Sequence, residues 1–182
     1  SRIKCANNLK NVGLAFRIFA TDNEDRFPME LPLARRGTKE LIDDPTLLWM
    51  HFAAISNGLS TPKLLLCPDD KVGRIEAATF SRAFRDKQNL VFSQNANLSY
   101  FVGLEATERN PTMLLAGDRN LTNDGPERFG YGIARVGNLG TNHAAGKGAA
   151  WDGNVHRSSG NVALGDGSVR LLSTSALQEQ LR

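Results

Sequence analysis

Three histidines, His51, His143 and His156, and two cysteines, Cys5 and Cys67, are the side chains of this 182-residue sequence best suited to proton transfer, nucleophilic attack or metal ligation. A hydrolytic Ser–His–Asp arrangement can be written with His156 as base, Asp166 as its orienting acid and any of several serines. That chemistry needs a nucleophile presented on a tight elbow, and no G-x-S-x-G stretch supplies one. Asp166 instead opens the dipeptide Asp166-Gly167, where a short carboxylate bonds to neighbouring backbone in a turn. The sequence therefore assigns His156, Asp166 and Gly167 structural roles, with His156 bonding the hairpin or a nearby loop, and it assigns no catalytic residue.

Asp118, Asn120, Thr122 and Asp124 alternate along Asp-Arg-Asn-Leu-Thr-Asn-Asp-Gly. Hard oxygens at such spacing suit calcium, which makes Asp118, Asn120 and Asp124 the candidate ligands. The twelfth position, where a calcium loop carries a bidentate Glu, is Phe129, so ordinary turn chemistry competes with that reading. No other cofactor is expected. Gly137 to Gly140 and Gly146 to Gly148 lack the G-x-x-x-x-G-K-[ST] pattern and the strand-to-helix setting of a phosphate loop. Cys5 and Cys67 form no CxxC and no Cys/His cluster of zinc spacing, which argues against a zinc site. Two buried thiols and one disulfide closing a long loop both fit, and an extracytoplasmic location would permit the bridge.

The elements that must position these residues begin with a helix over residues 1–21. Cys5, Leu9, Val12, Phe16 and Phe19 recur at steps of four and three and make one apolar stripe. Asp22-Asn23 and Phe27-Pro28 end it. Residues 45–55 predict a short helix opened by Pro45, and Leu64-Leu65-Leu66-Cys67 a short buried strand or a tight apolar crossing. Strand character returns at 97–102 and 112–116. A long connection with little regular structure is expected over 130–153. Segments 161–165 and 168–173 flank Asp166-Gly167 as a hairpin. With a two-residue loop, Leu164 faces Val169 and Val162 faces Leu171. A last helical turn is expected over 176–182. Helix first and sequential strands afterwards imply an α+β fold, an amphipathic helix lying on an antiparallel sheet, in one domain over 1–182.

The chain carries 22 Lys and Arg against 19 Asp and Glu, a net charge of +3, with Arg35-Arg36 the only adjacent basic pair. That is a solvated surface rather than a nucleic-acid footprint. No apolar run reaches the roughly 18–20 residues that cross a bilayer. The first residue, Ser1, already lies inside the helical pattern, which leads us to expect that a segment upstream has been removed.

Three stretches resemble bacterial pilin-like proteins of the type IV pilus and type II secretion kind. They are Cys5-Ala-Asn-Asn-Leu-Lys-Asn-Val-Gly-Leu-Ala-Phe with Phe27-Pro28, then Leu65-Leu-Cys-Pro-Asp-Asp, and finally His156, nine residues, Asp166-Gly167-Ser168-Val169. The last is similar to the His-x9-Asp-Gly signature of one prepilin-like branch. The resemblance implies that residues 1–22 are the C-terminal half of a long α1 helix and 23–182 its loops and sheet. It also implies a cleaved leader, an inner-membrane anchor, a periplasmic globular part, and other pilin-like subunits as partners. The implied role is that of a non-catalytic pseudopilin, without nucleic-acid binding. Two other readings compete with it. One is an extracytoplasmic module binding carbohydrate or DNA, with Trp49 or Trp151 stacking on the ligand. The other is a hydrolase built on His156 and Asp166.

Overall fold

A single helix and a four-stranded sheet meet across the apolar interior, and the periodicity of residues 5–20 explains why. The computed structural model describes residues 2–83, 88, 90–123, 136–141, 143 and 148–182. Helix α1 spans Arg2–Thr21 and buries Cys5, Leu9, Val12, Ala15, Phe16 and Ala20 along one stripe. The expected stripe is present, except that Ala20 rather than Phe19 takes the last fully buried place. Asn23 Nδ2 donates to the Phe19 carbonyl, and Glu24 and Asp25 adopt left-handed φ values of 59° and 58°, which stops the helix.

Residues 28–47 run through four short 3-10 turns into helix α2 (Leu48–Ala53). Pro45 opens this stretch as expected, with Asp44 accepting from Thr46 N. Phe52 of α2 and Phe27 meet Phe16 of α1 edge to face, with ring centroids 5.8 and 5.9 Å away. The Leu64–Cys67 segment is no strand. Pro62–Leu65 forms a 3-10 turn capped by Thr61. A proline at the first position favours a turn, and Leu65 makes a single long-range backbone bond, its carbonyl accepting from Ser99 N at 2.8 Å, rather than a ladder.

The main sheet contains β1 (Tyr100–Val102), β2 (Leu114–Asp118), β5 (Ser159–Leu164) and β6 (Val169–Ser173), antiparallel in the order β1-β2-β5-β6. A small second sheet pairs β3 (Leu121–Thr122) with β4 (Ala150–Trp151). Much of the long connection expected over 130–153 lies outside the described residues. Helix α3 (Thr174–Gln180) closes the chain, its first turn capped by Ser173 Oγ accepting from Ala176 N. The architecture is thus α+β, with α1 on one face of the sheet. Trp151, Leu172 and Leu177 cover Val162 and Leu164 on the other face.

The hairpin register differs from the expected one by a single residue. Ala163 pairs with Val169, Val162 with Arg170 and Asn161 with Leu171, so three residues, 165–167, form the loop. A one-residue shift exchanges faces. Leu172 is therefore buried at 6 % exposure and Leu171 is 51 % exposed, the reverse of the two-residue-loop reading. The cause is tertiary. Gly165 N donates to Met113 O and Asp166 N to Pro111 O, which draws Gly165 into the turn. A β-bulge at Leu114–Ala116 sets Leu115 and Ala116 both toward α1, so that Asp118 and its partner across the strands, Tyr100, also face the helix.

Candidate functional site

The polar residues that matter gather where the start of α1 meets the start of β5. Cys5, one turn into α1, and Cys67, just after the 3-10 turn, form a disulfide with Cα atoms 4.9 Å apart. The choice left open by the sequence resolves to the bridge. It joins residues 62 apart and pins the 61–70 segment to the helix. Asn8 Nδ2 adds a second tie by donating to Leu66 O at 3.0 Å.

His156 lies against this bridge, its Nε2 3.4 Å from Cys67 Sγ and 3.3 Å from Asp118 Oδ2. Its Nδ1 is 3.1 Å from Asp69 Oδ2. Burial pulls the imidazole below its usual range, against the opposing pull of the Asp69 carboxylate. The backbone of this loop is unusual, because His156, Arg157 and Ser158 all take left-handed φ values, 53°, 52° and 60°. Three such residues in a row persist only where surroundings hold them. Here Arg2 Nη2 and Ser159 Oγ both donate to His156 O, at 2.6 and 2.7 Å. Asn120 Nδ2 donates to the carbonyls of Asp152, Val155 and Ser159.

Asp118 is fully buried and accepts from Asn161 N at 2.7 Å and Asn161 Nδ2 at 2.9 Å through one oxygen, while Oδ1 has no hydrogen-bond partner. Burial pushes its carboxyl up to about 6, only partly offset by the Asn161 bonds. Tyr100 beside it stays neutral, its phenol pushed up by burial and then by the Asp118 charge. Asp70 is buried too and receives two hydrogen bonds from the Arg119 guanidinium, which ties the Pro68–Asp70 turn to the end of β2.

The expected site residues therefore separate. Asp166 does not join His156. Its Oδ1 accepts from Ser168 N and Ser168 Oγ at 2.8 and 2.6 Å, and these bonds hold its carboxyl below the usual range. The two residues flank β5, whose six residues span about 20 Å at strand rise. Nine intervening residues are thus a strand and its turn, and a Ser–His–Asp constellation on this pair is excluded by distance. Gly167, at φ +83°, closes the turn over α1, where a Cβ on Gly13 would lie 3.3 Å from Gly167 O. Of the calcium candidates, Asp118 Oδ2 accepts from Asn161 and Asn120 Nδ2 donates to three carbonyls, while Asp118 Oδ1 and Asn120 Oδ1 are buried with no hydrogen-bond partner, and Thr122 Oγ1 donates to Ala150 O. Asp124 lies outside the described residues. Trp151 is buried under Gly160, where any Cβ would meet its ring at 2.5 Å. Trp49 is half-buried between Phe92 and Arg82.

Sequence reasoning missed two things here. Asp69, two positions after Cys67, is the acid that meets His156, and its proximity to a cysteine in the Cys-Pro-Asp-Asp stretch was the available signal. The other is that the sulfur atoms of the Cys5–Cys67 bridge and a ring nitrogen of His156 lie within 4.8 Å of one another, a grouping that no local spacing in the sequence announces. Spacing rules see only local sets, and this one is assembled from three distant segments. In order, Asp69, His156 and Cys67 resemble an acid–base–nucleophile relay. The bridge occupies the sulfur, and the His156 ring is buried while Asp69 is exposed. Comparison with protein-family models, with curated proteins and with solved structures returned no match for this chain.

Proposed function

We propose that this chain is the extracytoplasmic globular part of a pilin-like subunit, a pseudopilin of a type II secretion or type IV pilus-like apparatus, acting by assembly and not by catalysis. The observation that carries the reading is how the His-x9-Asp-Gly signature is used. His156 grips the Cys5 end of α1 through Arg2 and Cys67, and Gly167 rests on Gly13 further along the same helix. From Cys5 to Gly13 the helix rises about 12 Å, and β5 runs alongside it. A signature spent on lashing a helix to a sheet suits a subunit whose helix must transmit load to its globular part. The disulfide fits an oxidising compartment. Among the described residues no helix is long and apolar enough to cross a membrane, so the anchor this reading requires would lie upstream.

The test is expression of the complete reading frame in a host with a prepilin peptidase. A processed product in the membrane fraction, cross-linking through α1 to other pilin-like chains, is the expected result. A product that stays in the soluble fraction with its encoded N-terminus intact sinks the proposal. Replacing His156 by Ala should lower the melting temperature and the yield of subunit, with no hydrolytic activity to lose.

A further inference from the structure

We propose that, when the Cys5–Cys67 bridge is open, Cys5, Cys67, His156 and Asp118 form a four-ligand site for a tetrahedral divalent metal of the zinc type. The inference stands apart from the pilin-like reading and concerns the reduced chain. The first support is geometric. In a tetrahedral zinc site with metal–sulfur bonds near 2.3 Å and metal–nitrogen or –oxygen bonds near 2.0–2.1 Å, neighbouring S and N ligands lie roughly 3.5 Å apart and N and O ligands roughly 3.3 Å apart. The observed Cys67 Sγ to His156 Nε2 distance is 3.4 Å, and Nε2 to Asp118 Oδ2 is 3.3 Å. Two edges of the tetrahedron are therefore in place; the two sulfurs must part to about 3.8 Å by the same bond lengths, and Asp118, which stands outside the 4.8 Å cluster of Cys5, Cys67 and His156, must swing toward the sulfurs.

The second support is the surroundings. Asp69 Oδ2 sits 3.1 Å from the far ring nitrogen of His156, near enough for the carboxylate–histidine pairing that directs Nε2 toward a metal, although Nδ1 lacks hydrogen-bond geometry in the oxidised chain. Asp118 Oδ1 is buried with no hydrogen-bond partner, so the carboxylate has an oxygen to spare once Oδ2 or Oδ1 turns to a cation. Two thiolates and one carboxylate around a divalent ion leave a single negative charge, and the Arg2 guanidinium, bonded to His156 O, lies beside it. A surface groove of about 470 Å³ lined by Lys4, Asn8, Lys63, Cys67 and Glu76 opens onto the Cys67 side of the bridge, where a reductant would enter.

The chemistry balances. A phosphine reductant takes the oxygen of one water to become its oxide, while the disulfide accepts two electrons and two protons and becomes two thiols. Metal binding then releases those two thiol protons to solvent. Bridge and metal exclude each other, because both use the same two sulfur atoms. Nascent chains, before oxidation, would hold the metal in place of the bridge.

The experiment uses the whole 182-residue chain, oxidised or reduced with tris(carboxyethyl)phosphine and titrated anaerobically with Co2+ and then Zn2+, with far-ultraviolet circular dichroism followed in parallel. The reduced chain should bind one equivalent of Co2+ with thiolate charge-transfer absorption and the visible bands of tetrahedral cobalt, Zn2+ should displace it, and the oxidised chain should show neither. His156→Gln and Asp118→Asn should each weaken zinc binding at least tenfold. If reduction unfolds the chain, zinc should restore the ellipticity, and failure to do so overturns the proposal. So does a folded reduced chain without tetrahedral cobalt bands, or a cobalt site indifferent to both substitutions, which would be two thiolates binding adventitiously.

Discussion

The two ends of strand β5 are held in opposite ways. At the His156 end the contacts are covalent and ionisable: a disulfide, a buried carboxylate, an imidazole and a guanidinium meet around a loop of three left-handed residues. At the Gly167 end they are steric and backbone-borne, with two glycines letting the turn touch α1, the turn amides bonded to Pro111 and Met113, and the exposed Asp166 carboxylate tied to its own Ser168. The same element is thus sensitive to redox state and pH at one end and to side-chain volume at the other. The contrast also separates two aspartates that look alike in sequence, since burial raises Asp118 while hydrogen bonds lower Asp166.

The largest expected effect breaks the covalent half of the contrast. Opening a bridge between residues 62 apart returns about 4 kcal/mol of loop entropy to the unfolded chain. For a chain of this size that is a fall in melting temperature of roughly 8–16 °C, read by calorimetry with and without reductant in the absence of metal. A shift of a degree or less would show that the His156 end holds without its bridge.

Next comes the charge. Asp118 prefers its proton in the folded chain, so its contribution is complete below its ordinary value of 3.8 and is lost as pH rises from there through about 6. At pH 7.5 the ionised, buried carboxylate costs about 3 kcal/mol by that shift. Asp118→Asn, which can still accept from Asn161 N, should therefore stabilise the chain at pH 7.5 and give no gain at pH 4. His51, buried against Thr38 and lowered to about 4 by burial, has the opposite sign. Its contribution is complete above 6.5 and is lost as pH falls toward 4. Between pH 6.5 and 4 the gain from Asp118 opposes the losses from His51 and from His156, whose imidazole is also lowered by burial. Asp118→Asn should make stability fall on acidification, as urea midpoints across that range would show. A variant with the same pH profile as the native chain refutes the assignment.

At the other end of the strand, Gly167→Ala places a side chain at φ +83° and moves the flexible Arg17, which a new Cβ would approach at 2.8 Å. The expected loss is about 1–2 kcal/mol, mostly from the backbone conformation, and it should be the same at pH 5 and pH 8. The smallest effect sharpens the picture of the His156 loop. Arg157 is exposed and left-handed, so Arg157→Gly should leave stability unchanged or raise it by up to about 1 kcal/mol, again by urea midpoint. A clear loss would mean that the guanidinium makes a contact of its own.

Much of this fold was legible in local pattern. The Cys5–Phe16 periodicity announces α1 and its buried face, Pro45 the α2 region, and Asp166-Gly167 the β5–β6 hairpin. Where the reading failed, the deciding contact came from far along the chain. The hairpin register slipped by one because Met113 and Pro111 hold the turn, and Leu65 turned rather than extended because Pro62 opens a 3-10 turn there and a lone bond from Ser99 N to its carbonyl ties it to the start of β1. The site was legible as residue types but not as a site. Asp118 reads as a loop oxygen until β2 carries it beneath His156, and Asp69 reads as a turn residue until the disulfide folds it over.

By itself the sequence determined which face of α1 is apolar, where chain reversals fall and which few residues can carry protons or metals, because each of these depends on neighbours within a turn or a strand. Tertiary structure alone decided that Cys5 and Cys67 bond, that His156 meets Asp69 and Asp118 rather than Asp166, and which leucine of β6 is buried. Those outcomes depend on distances between segments tens of residues apart, and such distances are set by packing the whole core at once.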